Sequence, residues 1–295
     1  MPDSRNTAWS DRVQGIDTLY YSRKLRFSEP FGPRFREAIP LTPDETGALL
    51  EVGCGPGALS ERLHVWYPGI RIVGIDRDDA FIAFAKEKAP EAEFLVGDAE
   101  RLPFDARTFD VTLSHTVSEH VETAAFFGEQ YRVLKPGGRC VVLSSRKSIV
   151  VKAPCLQPDK TERAFWKEVG ERDTSFQDVG VCKYPLNEAQ LPLAMEKYGF
   201  KSVSVRYVTV DLTPDAPATP DDFAAAIFAE GRKSELEAVA SAERSLPGVF
   251  TEERLSAVRR RILEKYSERE SLYRAGIRQW DTLVTVIMVM SGEKK

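Results

Sequence analysis

The sequence predicts an α/β fold, a mostly parallel sheet covered by helices on both faces. Three observations point there. Strand-like and helix-like runs alternate through residues 48–145, the rhythm of βαβ units. An apolar run meets a glycine cluster in "LLEVGCGPGALSERL" (49–63), and the chain then looks helical. Two further β-rich runs, at 201–212 and 281–292, return late in the chain.

The elements follow in order. "ALLEV" (48–52) reads as the first strand and "ALSERLHVWY" (58–67) as the helix after the glycine loop. "IRIVGID" (70–76) is the second strand, and "DAFIAFAKEKA" (79–89) the helix after it. "AEFLVGD" (92–98), "FDVTLSH" (109–115) and "RCVVLSS" (139–145) are three more short strands. Between the last two lies an amphipathic helix, "TAAFFGEQYRVL" (123–134). "KPGG" stops it, because glycine relieves backbone strain and proline cannot continue a helix. "NEAQLPLAMEKYGF" (187–200) looks helical, "KSVSVRYVTVDL" (201–212) is a strand, and "DTLVTVIMVMSG" (281–292) is the last.

Three segments fall outside this rhythm. Residues 1–44 precede the sheet, 146–186 interrupt it after the fifth strand, and 213–279 separate the last two strands. The third opens with the Pro-rich "TPDAPATPDD" and continues as two helices near 221–245 and 251–275, broken by "LPG". Substrate determinants of open α/β sheets sit on such insertions, near the carboxyl ends of the strands. The expected layout is one domain over 1–295. It comprises an N-terminal cap (1–44), a ligand-binding core (45–145), an insertion (146–186), a core continuation (187–212), a helical insertion on the substrate side (213–279), and a last strand with its tail (280–295).

Composition narrows the functional classes. The 295 residues are 42% hydrophobic and 29% charged, ordinary for a globular protein with a sizeable core. A net charge of −4 argues against gripping nucleic acid. "MPDSRNTAWSDRVQG" lacks the apolar centre of a signal peptide, and the longest apolar run, "TLVTVIMVM", is too short to span a bilayer. Cys54, Cys140, Cys155 and Cys182 show no CxxC spacing. A reducing cytoplasm and no membrane partner are expected. Oligomeric state is not encoded in any pattern.

Gly53, Gly55 and Gly57 stand where a strand must turn sharply into a helix. Glycine there permits positive φ and lets a ligand touch bare backbone, and the helix N-terminus beyond offers unpaired N–H groups. Gly53, Gly55 and Ala58 also satisfy the loose G-x-G-x-x-G/A pattern, with Asp76 about twenty residues on. On the loop alone, NAD remains a serious competitor.

The chain carries "EVGCGPGALSERL", "VGIDRD", "GDAERLPF", "FDVTLSHTVSEHV" and "LKPGG", in that order. Together these resemble the class I S-adenosylmethionine-dependent methyltransferases, particularly the type 11 or UbiE-like branch. The resemblance covers about 48–145, and more weakly "KYGFKSVSV" and "LVTVIMVMSG". It implies a Rossmann-like seven-stranded sheet with the last strand antiparallel between the fifth and sixth, here with helical cap insertions. It also implies S-adenosyl-L-methionine as cofactor, with S-adenosyl-L-homocysteine as product.

The resemblance assigns roles residue by residue. Glu51 falls where the family's acidic residue positions the cofactor's amino-acid portion; a loop-stabilising acid is the plainer alternative. Gly53, Gly55 and Gly57 would let backbone lie against the sugar and methionine chain. Cys54 is counted with this loop, although its side chain reads as a small packing residue. Asp76 could accept both ribose hydroxyls, since a cis-diol asks for a bidentate acceptor; otherwise it caps the helix beginning near Asp78. Arg77 could lie along the adenine or be solvated. Asp98 and Ala99 fall where the family reads the adenine edge, though Asp98 could be only a turn residue. Ser114 and His115 leave the fourth strand beside the methionine end.

"HTVSEH" matches neither H-E-x-x-H nor H-x-x-E-H, so no metal is expected. His115 and His120 are instead the candidate catalytic bases, for an acceptor that is poorly ionised. Cys155 and Cys182 share the middle insertion without a specific spacing. "VRRRILEKYSERE" (258–270) reads as a solvated helix face. In "DTLYYSRKLRFSEPFGPRF", Tyr20, Tyr21, Phe27, Phe31 and Phe35 concentrate aromatic surface ahead of the sheet. In related enzymes this region caps the active site, and aromatic faces suit a sulfonium cation; core packing is the alternative. The expected activity is methyl transfer to a small molecule. An NAD-dependent oxidoreductase and a non-catalytic S-adenosylmethionine-binding protein are the alternatives, and a macromolecule methyltransferase is a third.

Overall fold

The computed structural model describes residues 9–173 and 181–295. Three helices precede the sheet: α1 (Trp9–Arg12), α2 (Ile16–Arg26) and α3 (Gly32–Ala38). The core then alternates β1 (Gly47–Val52), α4 (Ala58–Trp66), β2 (Ile70–Asp76), α5 (Asp79–Lys88), β3 (Glu93–Val96), β4 (Phe109–His115), α6 (Thr123–Val133) and β5 (Leu134–Ala153). After it come α7 (Lys160–Arg172), α8 (Gln190–Lys197), β6 (Lys201–Leu212), α9 (Asp221–Ser245), α10 (Glu252–Arg274) and β7 (Thr282–Glu293).

These strands form one seven-stranded sheet in the order β3-β2-β1-β4-β5-β7-β6. β1 to β5 pair in parallel, while β7 runs antiparallel between β5 and β6. This is the expected topology. The central strands are buried on both faces, which is why they read as apolar runs rather than alternating ones. Leu49 packs with Leu59, Leu63, Trp66, Phe27 and Phe35 on one face. Leu50 and Val52 point to the other, with Phe109 and Val133. Phe126 and Phe127 of α6 extend that second face over Val142, Met288 and Met290.

Two features differ from the sequence reading. β5 does not end at residue 145. It continues past an irregularity between Ser145 and Val150, because the start of β7 supplies a partner as far as Ala153↔Thr282. The middle insertion also contains a helix, α7, stopped at its N-terminus by a capping box between Asp159 and Glu162.

Tertiary packing joins the three segments outside the sheet. α9 packs against both α2 and α10, and α7 packs against α10. Phe165, Val239, Phe250, Val258 and Ile262 form the satellite core of this helical cap. Arg269 of α10 anchors it to the sheet's connections. It donates to Asp215 at 2.6 Å and to Asp281 at 2.6 and 2.9 Å, and lies 4.7 Å from the ring centre of Phe228. Among the described residues, no helix is long and apolar enough to cross a membrane.

Candidate active site

β1 and β4 are neighbours at the centre of the sheet, and the chain leaves them in different directions. Ligands of open α/β sheets bind at such a switch point, beyond the strands' carboxyl ends. A cavity of about 1020 Å³ opens there, walled by the β1, β2 and β4 ends and covered by α1 and α2. That is at the upper end of the range for a pocket taking one small ligand.

The glycine turn forms its floor. Gly53, Gly55 and Gly57 all have positive φ, at 70°, 54° and 83°. The Gly53 and Cys54 N–H groups both donate to Ile75 O, tying the turn to β2. A Cβ on Gly53 would lie 2.4 Å from Val117 Cγ2, so only glycine fits. A Cβ on Gly55 would meet only Leu19 Cδ2, at 3.5 Å. Gly57 does not line the cavity. It is the left-handed residue that starts α4, packed against Ala85 and Phe94.

Glu51, Asp76, Asp98, Ala99 and Arg77 all line the cavity, as does Cys54. Glu51 is buried and accepts a hydrogen bond from Ser60 Oγ. Burial pushes its pKa up to about 8; the Ser60 bond opposes the shift and the nearby Asp76 charge adds to it. Asp76 accepts from Gly55 N–H at 2.9 Å through one oxygen and from Asp78 N–H at 3.0 Å through the other. Burial raises its pKa against those two bonds. The helix cap is Asp78, not Asp76: its side chain accepts from Ala80 and Phe81 N–H. Each Asp76 oxygen thus keeps acceptor capacity for a ligand. Asp98 accepts from Glu100 N–H, an Asx turn that sets the β3 end. Arg77 is exposed and lies 5.7 Å from the ring centre of Trp9. The Cys54 side chain packs with Ile82, Ala85 and Phe94, as a small packing residue should.

The β4 end closes the other side. Ser114 is buried in the sheet and does not line the cavity. His115 does, and is buried. Its Nε2 lies 3.1 Å from an Arg26 guanidinium nitrogen. A guanidinium only donates, so Nε2 is the acceptor and the imidazole is neutral. Burial, then the charges of Arg23 and Arg26, hold the His115 pKa well below its ordinary value. His120 accepts at Nδ1 from Cys182 N–H at 2.9 Å, with Nε2 4.0 Å from Glu119 Oε1. Trp9 meets the His120 ring edge-on, at 4.8 Å between centroids.

The aromatic cap is a correction. Tyr20 and Tyr21 do not line the cavity. The Tyr20 hydroxyl donates to Glu61 and its ring packs on Phe84, while Tyr21 is exposed. Phe27, Phe31 and Phe35 belong to the main core. The reason is helical phase: in α2, Leu19, Arg23 and Arg26 share the cavity-facing side, which turns Tyr20 and Tyr21 away. The residue that covers the opening is Trp9, which touches Arg77 on one side and His120 on the other. Sequence reasoning missed Trp9, Arg23, Arg26, Thr116 and Lys183, and weighed Glu119 only as a metal ligand; all six are on the cavity wall. The i, i+3 spacing of Arg23 and Arg26 was the available signal.

Residues 50–142 match the family described as "Methyltransferase domain". A demethylmenaquinone methyltransferase of Chlorobaculum tepidum is 36% identical over 96 residues, 32% of this chain and 39% of that protein. A ubiquinone/menaquinone biosynthesis C-methyltransferase UbiE of Cereibacter sphaeroides is 36% identical over 110 residues, 35% of this chain and 44% of that protein. The chain therefore spans less than half the length of these relatives. In solved structures, phosphoethanolamine N-methyltransferase 2 of Haemonchus contortus, in complex with S-adenosyl-L-methionine, shares the fold. Its TM-score is 0.51 at 17% identity, covering 99% of this chain and 60% of that one. Over the core at 50–142, the chain thus matches a methyltransferase domain and is similar to the UbiE and demethylmenaquinone methyltransferases.

Proposed function

We propose that this protein transfers a methyl group from S-adenosylmethionine to a small-molecule acceptor. The observation that carries the reading is one cavity joining a glycine cradle with acidic walls to a separate basic and aromatic end. The cradle fits the donor. Gly53 and Gly55 expose backbone where a side chain would intrude, and Asp76 has acceptor capacity beyond its two backbone bonds.

Within this reading Glu51 holds the donor's ammonium, Asp76 its ribose hydroxyls, and Asp98 with Ala99 the adenine edge. Arg77 and Trp9 flank that edge, while Gly57 shapes the turn without touching the ligand. When bound, the donor supplies an electrophilic methyl on a sulfonium sulfur. The chain's own contribution is orientation and exclusion of water under Trp9 and α2, each worth several kcal/mol in favourable settings. His115 is assigned to orienting Arg26, because its accepting nitrogen is already engaged. His120 can serve as a base only by giving up the Cys182 N–H bond or by relay through Glu119. Ser114 acts through the strand backbone.

The experiment is calorimetric titration of the protein with S-adenosylhomocysteine and, separately, NAD. Binding of the first with no response to the second is expected. Preferential NAD binding would falsify the reading. Transfer of labelled methyl to small-molecule extracts then tests turnover.

A further inference from the structure

We infer that the methyl acceptor carries an oxyanion, a carboxylate or a phosphate, and that Arg23 and Arg26 seat it. This rests on the methyltransferase reading and adds the chemical class of the acceptor.

Both arginines project from α2 onto the cavity wall. Arg23 donates to Thr116 Oγ1 at 3.1 Å, and Arg26 to His115 Nε2 at 3.1 Å. Both partners are neutral. Each guanidinium carries five N–H groups, so most donors are uncommitted. Among the described residues, neither has a carboxylate oxygen within ion-pair distance. Glu230, and for Arg23 also Glu119, act on them only through space. Burial lowers the pKa of both, that of Arg26 to about 10, and Arg26's like charge adds to the effect on Arg23. Two neighbouring, partly buried cations with no carboxylate in contact are costly, and an anionic ligand lowers that cost.

The same chain shows how it treats a buried arginine whose role is structural. Arg269 is closed off by Asp215 and Asp281 and by the ring of Phe228. Arg23 and Arg26 have no such closure. Their surroundings are instead a ligand wall: His115 holds one guanidinium, Lys183 adds a further cation, and the Ser145 hydroxyl, at the irregularity within β5, has no hydrogen-bond partner among the described residues.

Position separates this anion seat from the donor's cradle. Leu19 of α2 faces Gly55, Arg23 lies one turn further, and Arg26 nearly another turn beyond, at the His115 end. The carboxylates Glu51, Asp76 and Asp98 stand at the β1, β2 and β3 ends. An acceptor entering over β4 and β5 would bring its anionic group to the arginines. Two guanidiniums also exceed what the single carboxylate of the donor would neutralise.

The test is titration of the full-length protein, saturated with S-adenosylhomocysteine, with inorganic phosphate and separately with acetate, at constant ionic strength. Calorimetry reads binding. Variants are Arg26→Gln, Arg26→Lys, Arg23→Gln and Arg34→Gln; Arg34 is exposed and pairs with Asp211. At least one anion should bind the saturated protein, and whichever binds tighter identifies the oxyanion. Arg26→Gln should weaken that binding by about tenfold or more, the loss of one charge-assisted hydrogen bond. Arg26→Lys should restore part of it, Arg34→Gln should change nothing, and S-adenosylhomocysteine affinity should stay within about twofold for Arg26→Gln. Anions that bind only the protein without S-adenosylhomocysteine, and compete with it, would assign the arginines to the donor's carboxylate and overturn the inference. So would an absence of anion binding to the saturated wild type. If S-adenosylhomocysteine itself does not bind, the methyltransferase reading fails; phosphate titration of the protein alone then still reads whether the two arginines form an anion site.

Discussion

Asp76→Ala separates the two roles that the structure gives this carboxylate. It removes the acceptor for Gly55 N–H, at 2.9 Å, and for Asp78 N–H, at 3.0 Å. Hydrogen bonds to a charged group are worth about 1.5–3 kcal/mol each. Burial raises the Asp76 pKa, so deleting the charge also relieves a desolvation penalty. The net loss of stability should be about 1–3 kcal/mol, a fall of several degrees in Tm for a chain of this size. Donor affinity should fall further. If each oxygen accepts one ribose hydroxyl, losing even one such bond costs about 1.5 kcal/mol, or roughly tenfold, and losing both approaches 100-fold. The assay is calorimetry with S-adenosylhomocysteine, paired with thermal unfolding of the same samples. Asp78→Ala is the control. It removes the α5 cap, whose side chain takes the Ala80 and Phe81 N–H groups, and the acceptor for Ser10 N–H at 2.7 Å, beside Trp9, and should cost about 1–2 kcal/mol of stability. Its Kd should rise less than that of Asp76→Ala, because it loses only the seating of Trp9 and no ribose contact. If Asp76→Ala lowers Tm yet leaves Kd unchanged, the carboxylate only braces the glycine turn and its ribose role is wrong.

Glu51 has a pKa raised from 4.5 to about 8 by burial, so the folded protein holds a proton that the unfolded chain releases. Stability from this group is therefore complete below pH 4.5 and is lost as pH rises to about 8. Glu51→Gln should flatten that part of the stability-pH profile in urea unfolding, and an unchanged slope would exclude Glu51 as its source. Donor binding at pH 7 should release up to one proton, read as a buffer-dependent binding enthalpy, and Glu51→Gln should abolish the release. The two glycines should respond differently. Gly53→Ala meets Val117 at 2.4 Å with φ at 70°, and should lose about 2–4 kcal/mol from combined strain and overpacking. Gly55→Ala has ordinary space, at 3.5 Å, and should lose only about 1–2 kcal/mol from its positive φ; equal losses in chemical denaturation would contradict this steric account. Arg269→Ala leaves buried Asp215 without its cation, although the Gln279 and Trp280 N–H groups still reach it. It should lose about 3 kcal/mol, the low end for a broken buried pair, and a loss below about 1 kcal/mol would show that the cap does not depend on this anchor.

The sequence by itself determined the sheet and its ligand-facing turn. Parallel strands buried on both faces must read as apolar runs, and a turn that needs positive φ at three nearby positions must read as glycine. Glu51, Asp76 and Asp98 were legible through the family resemblance, and each stands at or just beyond the end of a strand. The antiparallel place of β7 came from the family resemblance, not from any local pattern. Helical phase and long-range packing could not be read this way. Tyr20 and Tyr21 looked like a cap because they are aromatic, yet Leu19, Arg23 and Arg26 occupy the cavity side of α2. Trp9 covers the opening only because α1 folds back between Arg77 and His120, residues far from it in sequence. His115 looked like a base because its ordinary pKa is near neutral. Tertiary structure set Arg26 against its accepting nitrogen and buried it beside two cations, and that surrounding charge, invisible along the chain, decides what the imidazole can do.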